Sequence, residues 1–404
     1  MPAPRGALMI GQSGGPTAVI NASLVGAVEA ARQHDCITGV YGMRHGIEGV
    51  LKEDLVDLGG QSAQTLAGLK QTPSAALGSC RRKLSDADYQ RILAVLEAHG
   101  VRYFCYIGGN DSADTSYRVG KLAAESGYEL YAVGIPKTVD NDLGFTDHCP
   151  GYGSVARFNA MATRDAGRDT EAIGIVDNVK IIETMGRNAG WITASTVLGK
   201  ETETDPPHVV LLPEVAFRPE PFLAAVKHTF ERLGYCLVTV CEGLRGEDGR
   251  EVVASQRALD TDQFGHRQLG GVADFLVDLV ASNLGIKARF DKPGTIQRMF
   301  MLAASPVDVE EAYLVGATAV HQAVAGVTGQ MVTLVRESNH PYRCTTGLAP
   351  LQEVANAERP LPPEFIGPDG MSLTAQYLEY ARPLIGGPLP PYARLEPLKV
   401  PPCT

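Results

Sequence analysis

Short apolar runs recur along this chain, each ending in a polar, glycine-rich cluster and each followed by a segment of helical length. Ala7–Ile10 runs into Gly11-Gln12-Ser13-Gly14-Gly15, Val101–Ile107 into Gly108-Gly109-Asn110-Asp111-Ser112, and Glu129–Ile135 into Pro136-Lys137-Thr138-Val139-Asp140-Asn141-Asp142. The rhythm continues with a strand inside Ala172–Thr184 that ends in Met185-Gly186-Arg187. His208–Leu212 ends in Pro213-Glu214, and Tyr235–Val240 in Cys241-Glu242-Gly243. Strands that alternate with helices imply parallel sheets covered on both faces. In such sheets ligands bind beyond the carboxyl ends of the strands, where these polar clusters fall. The fold class is therefore α/β.

Local signals place several helices. Pro suits a first helical turn, so a helix starts near Pro16-Thr17 with apolar Val19, Ile20, Leu24, Val25 and Val28. Ser85 and Asp88 form a capping-box pattern ahead of Ile92, Leu93, Val95 and Leu96, with Gly100 closing that helix. Leu269–Leu284 and Val307–Ala325 read as helices, Ile286–Phe290 and Met331–Val335 as strands. From Pro360 onward the composition changes: the tail holds 11 of the 26 prolines and cannot be helical throughout. It reads as an extended segment packed over the body, with one short helix around Ala375–Ala381.

The chemistry-bearing groups lie in the clusters. A strand–glycine–helix junction such as Gly11–Gly15 lets backbone N–H groups approach an anion, but it is also an ordinary tight turn. It is neither the dinucleotide pattern GxGxxG nor the P-loop pattern GxxxxGK[ST], which counts against both classes. Lys137–Asp142 is more pointed: a cation, a hydroxyl, an amide and two carboxylates follow one strand. Phosphoryl transfer needs a base for the attacking hydroxyl and cations for the donor oxygens. Arg187, Arg298 with Arg289, and Arg81-Arg82-Lys83 supply cations, mostly guanidinium groups, suited to phosphate. The nine histidines show no metal-ligand spacing, which argues against zinc.

The net charge of −10 makes nucleic acid and anionic membranes poor partners, so phosphate-binding cations must be concentrated in a cleft. No run of about 18 apolar residues is present, so no membrane span is expected. Eight cysteines without a CxxC pair read as reduced thiols, and the expected location is the cytoplasm.

Taken together and in this order, QSGGPTAVIN, IGGNDS, PKTVDND, IETMGRNAGW, VCEG and GTIQR resemble the phosphofructokinase family over about residues 8 to 345. The resemblance implies two Rossmann-like domains, with mostly parallel sheets flanked by helices and the active site in the cleft between them. It assigns 1–150 plus about 299–350 to the phosphoryl donor, 151–298 to the sugar phosphate, and 351–404 to a proline-rich extension. By its pattern Asp140 is the base for the 1-hydroxyl of fructose 6-phosphate, with Thr138, Val139 and Asp142 beside it. Met185, Gly186 and Arg187 form the sugar loop, and Arg187 also faces the transferring phosphoryl group. Glu242 holds sugar hydroxyls. Arg298, Arg289 and Thr295 belong to the 6-phosphate site, with Arg289 supplied across a subunit interface of a homodimer or homotetramer. Gly14 and Arg81 lie on the donor side.

Two positions point to diphosphate as donor, not ATP. Asp111 stands where ATP users carry glycine, and its carboxylate would occupy and repel an α-phosphate. Lys137 also replaces a glycine and can offset charge on the leaving phosphate. Mg2+ is the implied cofactor, with Asn110 and Asp142 as its ligands. Asn110 departs from the family's aspartate. The alternatives are an ATP-dependent enzyme, or a silent sugar-phosphate-binding regulatory subunit that would lack the base or Arg187.

Overall fold

The computed structural model describes residues 3–173, 176–253, 271–355, 357–396, 398 and 400. Two sheets organise the chain. The larger has seven strands: β1 (Gly6–Gln12), β2 (Ile37–Met43), β3 (Leu55–Asp57), β4 (Val101–Gly108), β5 (Tyr131–Pro136), β10 (Gln330–Asn339) and β11 (Tyr342–Pro350), in the order β11-β10-β5-β4-β1-β2-β3. The smaller takes β6 (Val179–Thr184), β7 (Val209–Leu211), β8 (Cys236–Cys241) and β9 (Ala288–Asp291), in the order β7-β8-β6-β9. All pairings are parallel except β2–β3 and the β10–β11 hairpin at the two margins of the larger sheet.

The central strands are apolar on both faces because helices cover both. On β1, Leu8 and Ile10 join a cluster with Tyr103, Cys105 and Ile107 of β4 beneath the helices Ile20–Ala31 and Pro306–Val324. Ala7 and Met9 point the other way, toward Phe104, Tyr106 and the helix Asp86–Ala98. The register Leu8↔Tyr103, Met9↔Phe104 keeps each set on its own face. The smaller sheet buries Ile181, Val238 and Val240 against Phe222, Val226, Leu276 and Val280 of the helices Pro219–Leu233 and Val272–Leu284.

Helix Ile20–Ala31 starts four residues later than its proline suggests. Ahead of it, the Ala18 amide, an end group with no intrahelical partner to make, donates to the Arg298 carbonyl at 2.9 Å. The capping box forms as read: the Ser85 Oγ accepts from the Asp88 amide, and Asp88 accepts from the Ser85 amide at 2.9 Å. Residues 269–270 lie outside the described residues, and the helix expected there runs from Val272. The 22-residue helix Tyr152–Ile173, the β10–β11 hairpin, β2 and β3 were not anticipated. The tail packs as an extended segment with a helix at Ala375–Ala381, burying Leu361, Tyr377 and Leu384 against Tyr152 and Trp191.

Helices Ile20–Ala31 and Pro306–Val324 approach so closely that only glycine fits at two facing positions. A Cβ on Gly26 would lie 2.1 Å from the Tyr313 carbonyl, and one on Gly316 2.0 Å from the Ser23 carbonyl. The obstacles are backbone atoms, so the helices themselves must part. Gly316→Ala is therefore expected to destabilise the protein by about 1–3 kcal/mol, the usual cost of overpacking. Urea unfolding checks this, and an unchanged midpoint would contradict the close packing.

Candidate active site

A cleft of about 550 Å³ opens beyond the carboxyl ends of the strands, with walls from both sheets. The β1 turn contributes Gly14, the β4 helix start contributes Asn110 and Asp111, and the β5 loop contributes Lys137, Thr138, Asp140 and Asp142. Across the cleft, the β6 loop brings Met185 and Arg187, and the β8 loop brings Glu242. Arg81 also lines this wall. The loops after β6 and β8 are laced together: the Glu242 amide donates to the Thr184 carbonyl at 3.1 Å, and the Gly243 amide to the Gly186 carbonyl at 3.3 Å.

Lys137 lies at the centre and is 3% exposed. Its Nζ donates to the Gly15 carbonyl at 2.9 Å and would stand 3.0 Å from a Cβ on Gly14, whose φ of +73° also favours glycine. Burial, and then the nearby Arg298 cation, pull its pKa down to about 8, against the pull of Asp140 and Asp142. Asp140 moves the opposite way. Burial, then the carboxylates of Asp142 and Glu242, push it up to about 7, although Lys137 and Arg298 favour its charged form. The Thr138 Oγ1 accepts from the Asp140 amide at 3.1 Å and fixes the loop locally. Glu242 is raised by burial, with Arg187 and Lys292 opposing.

Other expected site residues lie behind or away from the walls. Val139 is buried under the loop, and Gly186 forms the turn before Arg187. The Arg298 guanidinium packs against Gly15, where a Cβ would be 2.8 Å from its Nη1. Arg289 and Thr295 are exposed. Arg289 lies on the margin strand β9 and pairs with Asp177 at 2.8 Å, so it does not reach this chain's cleft. Sequence reasoning passed over Ser13, Ser112, Asn188 and Glu358, all in the cleft wall. Ser13 and Ser112 sat inside motifs already noted, and their hydroxyls meet across the floor. Glu358 had no local signal, because the tail brings it back to the cleft.

This is a two-sheet α/β protein whose cleft holds cations and carboxylates in the pattern of a phosphotransferase. The chain belongs to the phosphofructokinase family, whose sequence model, "Phosphofructokinase", matches residues 7–323. It is 47% identical over 390 residues to a pyrophosphate–fructose 6-phosphate 1-phosphotransferase of Methylococcus capsulatus, covering 95% of this chain and 92% of that protein. A sulfofructose kinase of Alkalicoccus urumqiensis is 34% identical, with 88% and 91% covered. Among solved structures, a pyrophosphate-dependent phosphofructokinase from Nitrosospira multiformis superposes with a TM-score of 0.87 at 42% identity, covering 97% of this chain and 95% of that one.

Phosphotransferases of this family generally use a divalent metal. The residues here fit one: the amide and carboxylate side chains of Asn110, Asp111, Asp140 and Asp142 offer oxygen ligands. Asn110 Oδ1 is buried without a hydrogen-bond partner among the described residues. Away from the cleft, His148, Glu311 and Cys344 come within metal-ligating reach of one another. Both His148 nitrogens are already engaged there, by Asp147 at 2.7 Å and Glu311 at 2.6 Å.

That arrangement has a pH consequence. Burial opposes a charge on His148, but Glu311 and Asp147 outweigh it and raise its pKa from the usual 6.5 to about 9. A raised folded-state value stabilises fully below about pH 6.5 and is lost as pH climbs through 9. The stability gap between wild type and His148→Gln should therefore narrow between pH 6.5 and 9 in thermal unfolding. A gap that widens over that window would refute the ion-paired imidazolium.

Proposed function

We propose that this chain is a pyrophosphate-dependent phosphofructokinase: it transfers a phosphoryl group from diphosphate to the 1-hydroxyl of fructose 6-phosphate, reversibly, giving phosphate and fructose 1,6-bisphosphate. The observation that carries the reading is the meeting of Asp140, Lys137, Arg187 and Glu242 in one cleft, from loops of two separate sheets. Asp140, displaced toward neutral pKa, accepts the hydroxyl proton as the oxygen attacks phosphorus. Arg187 spreads its guanidinium toward the phosphoryl group in flight, and Lys137 offsets charge on the phosphate that leaves. Glu242, Met185 and Gly186 hold the sugar, Gly14 and Arg81 the diphosphate, and Thr138 and Val139 shape the loop under the hydroxyl. The metal we propose is Mg2+, held by Asn110 and Asp142; when bound it neutralises diphosphate oxygens. Residues 1–150 with about 299–350 would then serve the donor, and 151–298 the sugar phosphate.

Diphosphate is favoured over ATP by the place of Asp111, exposed at the first turn of the helix Asn110–Glu125 and lining the donor side. Its carboxylate stands where a nucleotide's α-phosphate would have to pass. The 6-phosphate site is completed by Arg298 and Thr295 and by a neighbouring copy's Arg289, in a homodimer or homotetramer. Supporting this, the β9 margin and the turns after it expose Phe290, Ile296, Phe300 and Leu302, an apolar group unusual for a free surface. We place the enzyme in the cytoplasm: seven described cysteines are free thiols, and no described helix is long and apolar enough to cross a membrane.

Two measurements decide the reading. Turnover should occur with diphosphate and not with ATP, and Asp111→Gly with Lys137→Gly should relax that exclusion; turnover with ATP alone would overturn the donor assignment. Asp140→Asn should lower kcat by about 10²-fold or more while fructose 6-phosphate still binds. A near-normal kcat in that variant removes Asp140 as the base.

A further inference from the structure

The tail re-enters the cleft wall at Glu358, with Arg359 directly behind it, 35 and 36 residues beyond the end of the matched family region at 323. These two neighbours reach in opposite directions. Glu358 pairs with Leu143 in an antiparallel bridge, and its Oε1 accepts from Asn188 Nδ2 at 2.8 Å. Asn188 directly follows Arg187 and is held on its other side by Arg245 Nη2 at 2.9 Å.

Arg359 serves the opposite loop. Its amide donates to the Asp142 carbonyl at 2.7 Å. Its Nε and Nη2 donate to the Asn141 carbonyl at 3.2 and 2.9 Å, and its Nη1 to the carbonyls of Thr146 and Asp147 at 2.9 and 2.5 Å. The guanidinium lies 4.6 Å over the Trp191 ring, and the Arg359 carbonyl accepts from Trp191 Nε1 at 3.1 Å. Trp191 opens the helix that follows the Arg187 turn. Tyr380, also from the tail, donates to the Asp147 carbonyl at 2.8 Å and accepts from Asn141 Nδ2 at 3.0 Å.

The loop needs such a partner. Asn141 stands between Asp140 and Asp142 with φ +55°, a left-handed conformation that asparagine tolerates, and lies outside any strand, so its carbonyl has no ladder partner. Buried carbonyls must find donors. A planar guanidinium offers several in fixed directions, which the single ammonium of a lysine cannot match.

We infer that Glu358 and Arg359 are positioning residues that clamp the Asp140 loop and the Arg187 turn to each other, so that base and phosphoryl-facing cation keep their separation during transfer. This rests on the roles proposed for Asp140 and Arg187. Misplacement by about 1 Å can cost about 10²-fold in rate.

The test uses the full-length protein. Arg359→Lys should lower kcat by about 10²-fold with the KM for fructose 6-phosphate changed far less, and the protein should remain folded by circular dichroism. Guanidinium ion at sub-denaturing concentration should restore part of the rate in Arg359→Ala, where urea should not. Glu358→Ala should lose rate, and Glu358→Gln, which keeps the acceptor oxygen, should recover much of it. A wild-type kcat in both Arg359→Lys and Glu358→Ala overturns the clamp. So does a Glu358→Gln variant as slow as Glu358→Ala, which would assign Glu358's role to its charge. Asp140→Asn separates the two levels: if it retains wild-type rate the underlying reading fails, whereas if it is inactive while Arg359→Lys and Glu358→Ala both keep the wild-type kcat, only the clamp fails.

Discussion

A buried ammonium cannot stand alone in a protein interior, and Lys137 shapes the cleft around that constraint. Desolvation disfavours its charge, so carboxylates must gather near it and polar backbone must meet it. The Gly15 carbonyl and the Asp140 and Asp142 side chains supply both. A Cβ on Gly14 would crowd its Nζ at 3.0 Å, so the glycine turn after β1 eases its fit. Burial, reinforced by the carboxylates of Asp142 and Glu242, raises Asp140 toward neutrality, which suits the base role proposed for it. One buried cation thus ties the β1 turn to the β5 loop and tunes the carboxyl beside it.

The sheets make that meeting possible. Parallel strands deliver every following loop to the same edge, so residues far apart in sequence converge without long excursions. Two such edges face each other here, and the tail holds them in relation. Its apolar residues bury against Tyr152 and Trp191, while Arg359 and Tyr380 satisfy carbonyls of the loop that carries Asp140. An extension outside the matched family region is therefore continuous with the core of the site.

The strand-end clusters were legible in the sequence because each is local: a β-strand, a turn and a helix start occupy consecutive residues. Gly14, Asn110, Lys137, Asp140, Arg187 and Glu242 could be picked out for that reason. The helix start was read four residues early, because a proline marks where a helix can begin but not where it must. The β10–β11 hairpin escaped notice because its second strand is half-exposed and mixed in character, without a continuous apolar run.

What the sequence determined by itself was the α/β alternation, the chemistry available at each strand end and, through the order of its motifs, the family. What only the tertiary structure decided was who meets whom. Glu358 beside Asn188, the Arg359 guanidinium under three carbonyls, the hydroxyls of Ser13 and Ser112 in contact, and Arg289 turned to Asp177 are all non-local pairings. No local pattern encodes them, because their partners are fixed by how two sheets and a proline-rich tail pack, and packing depends on the whole chain at once.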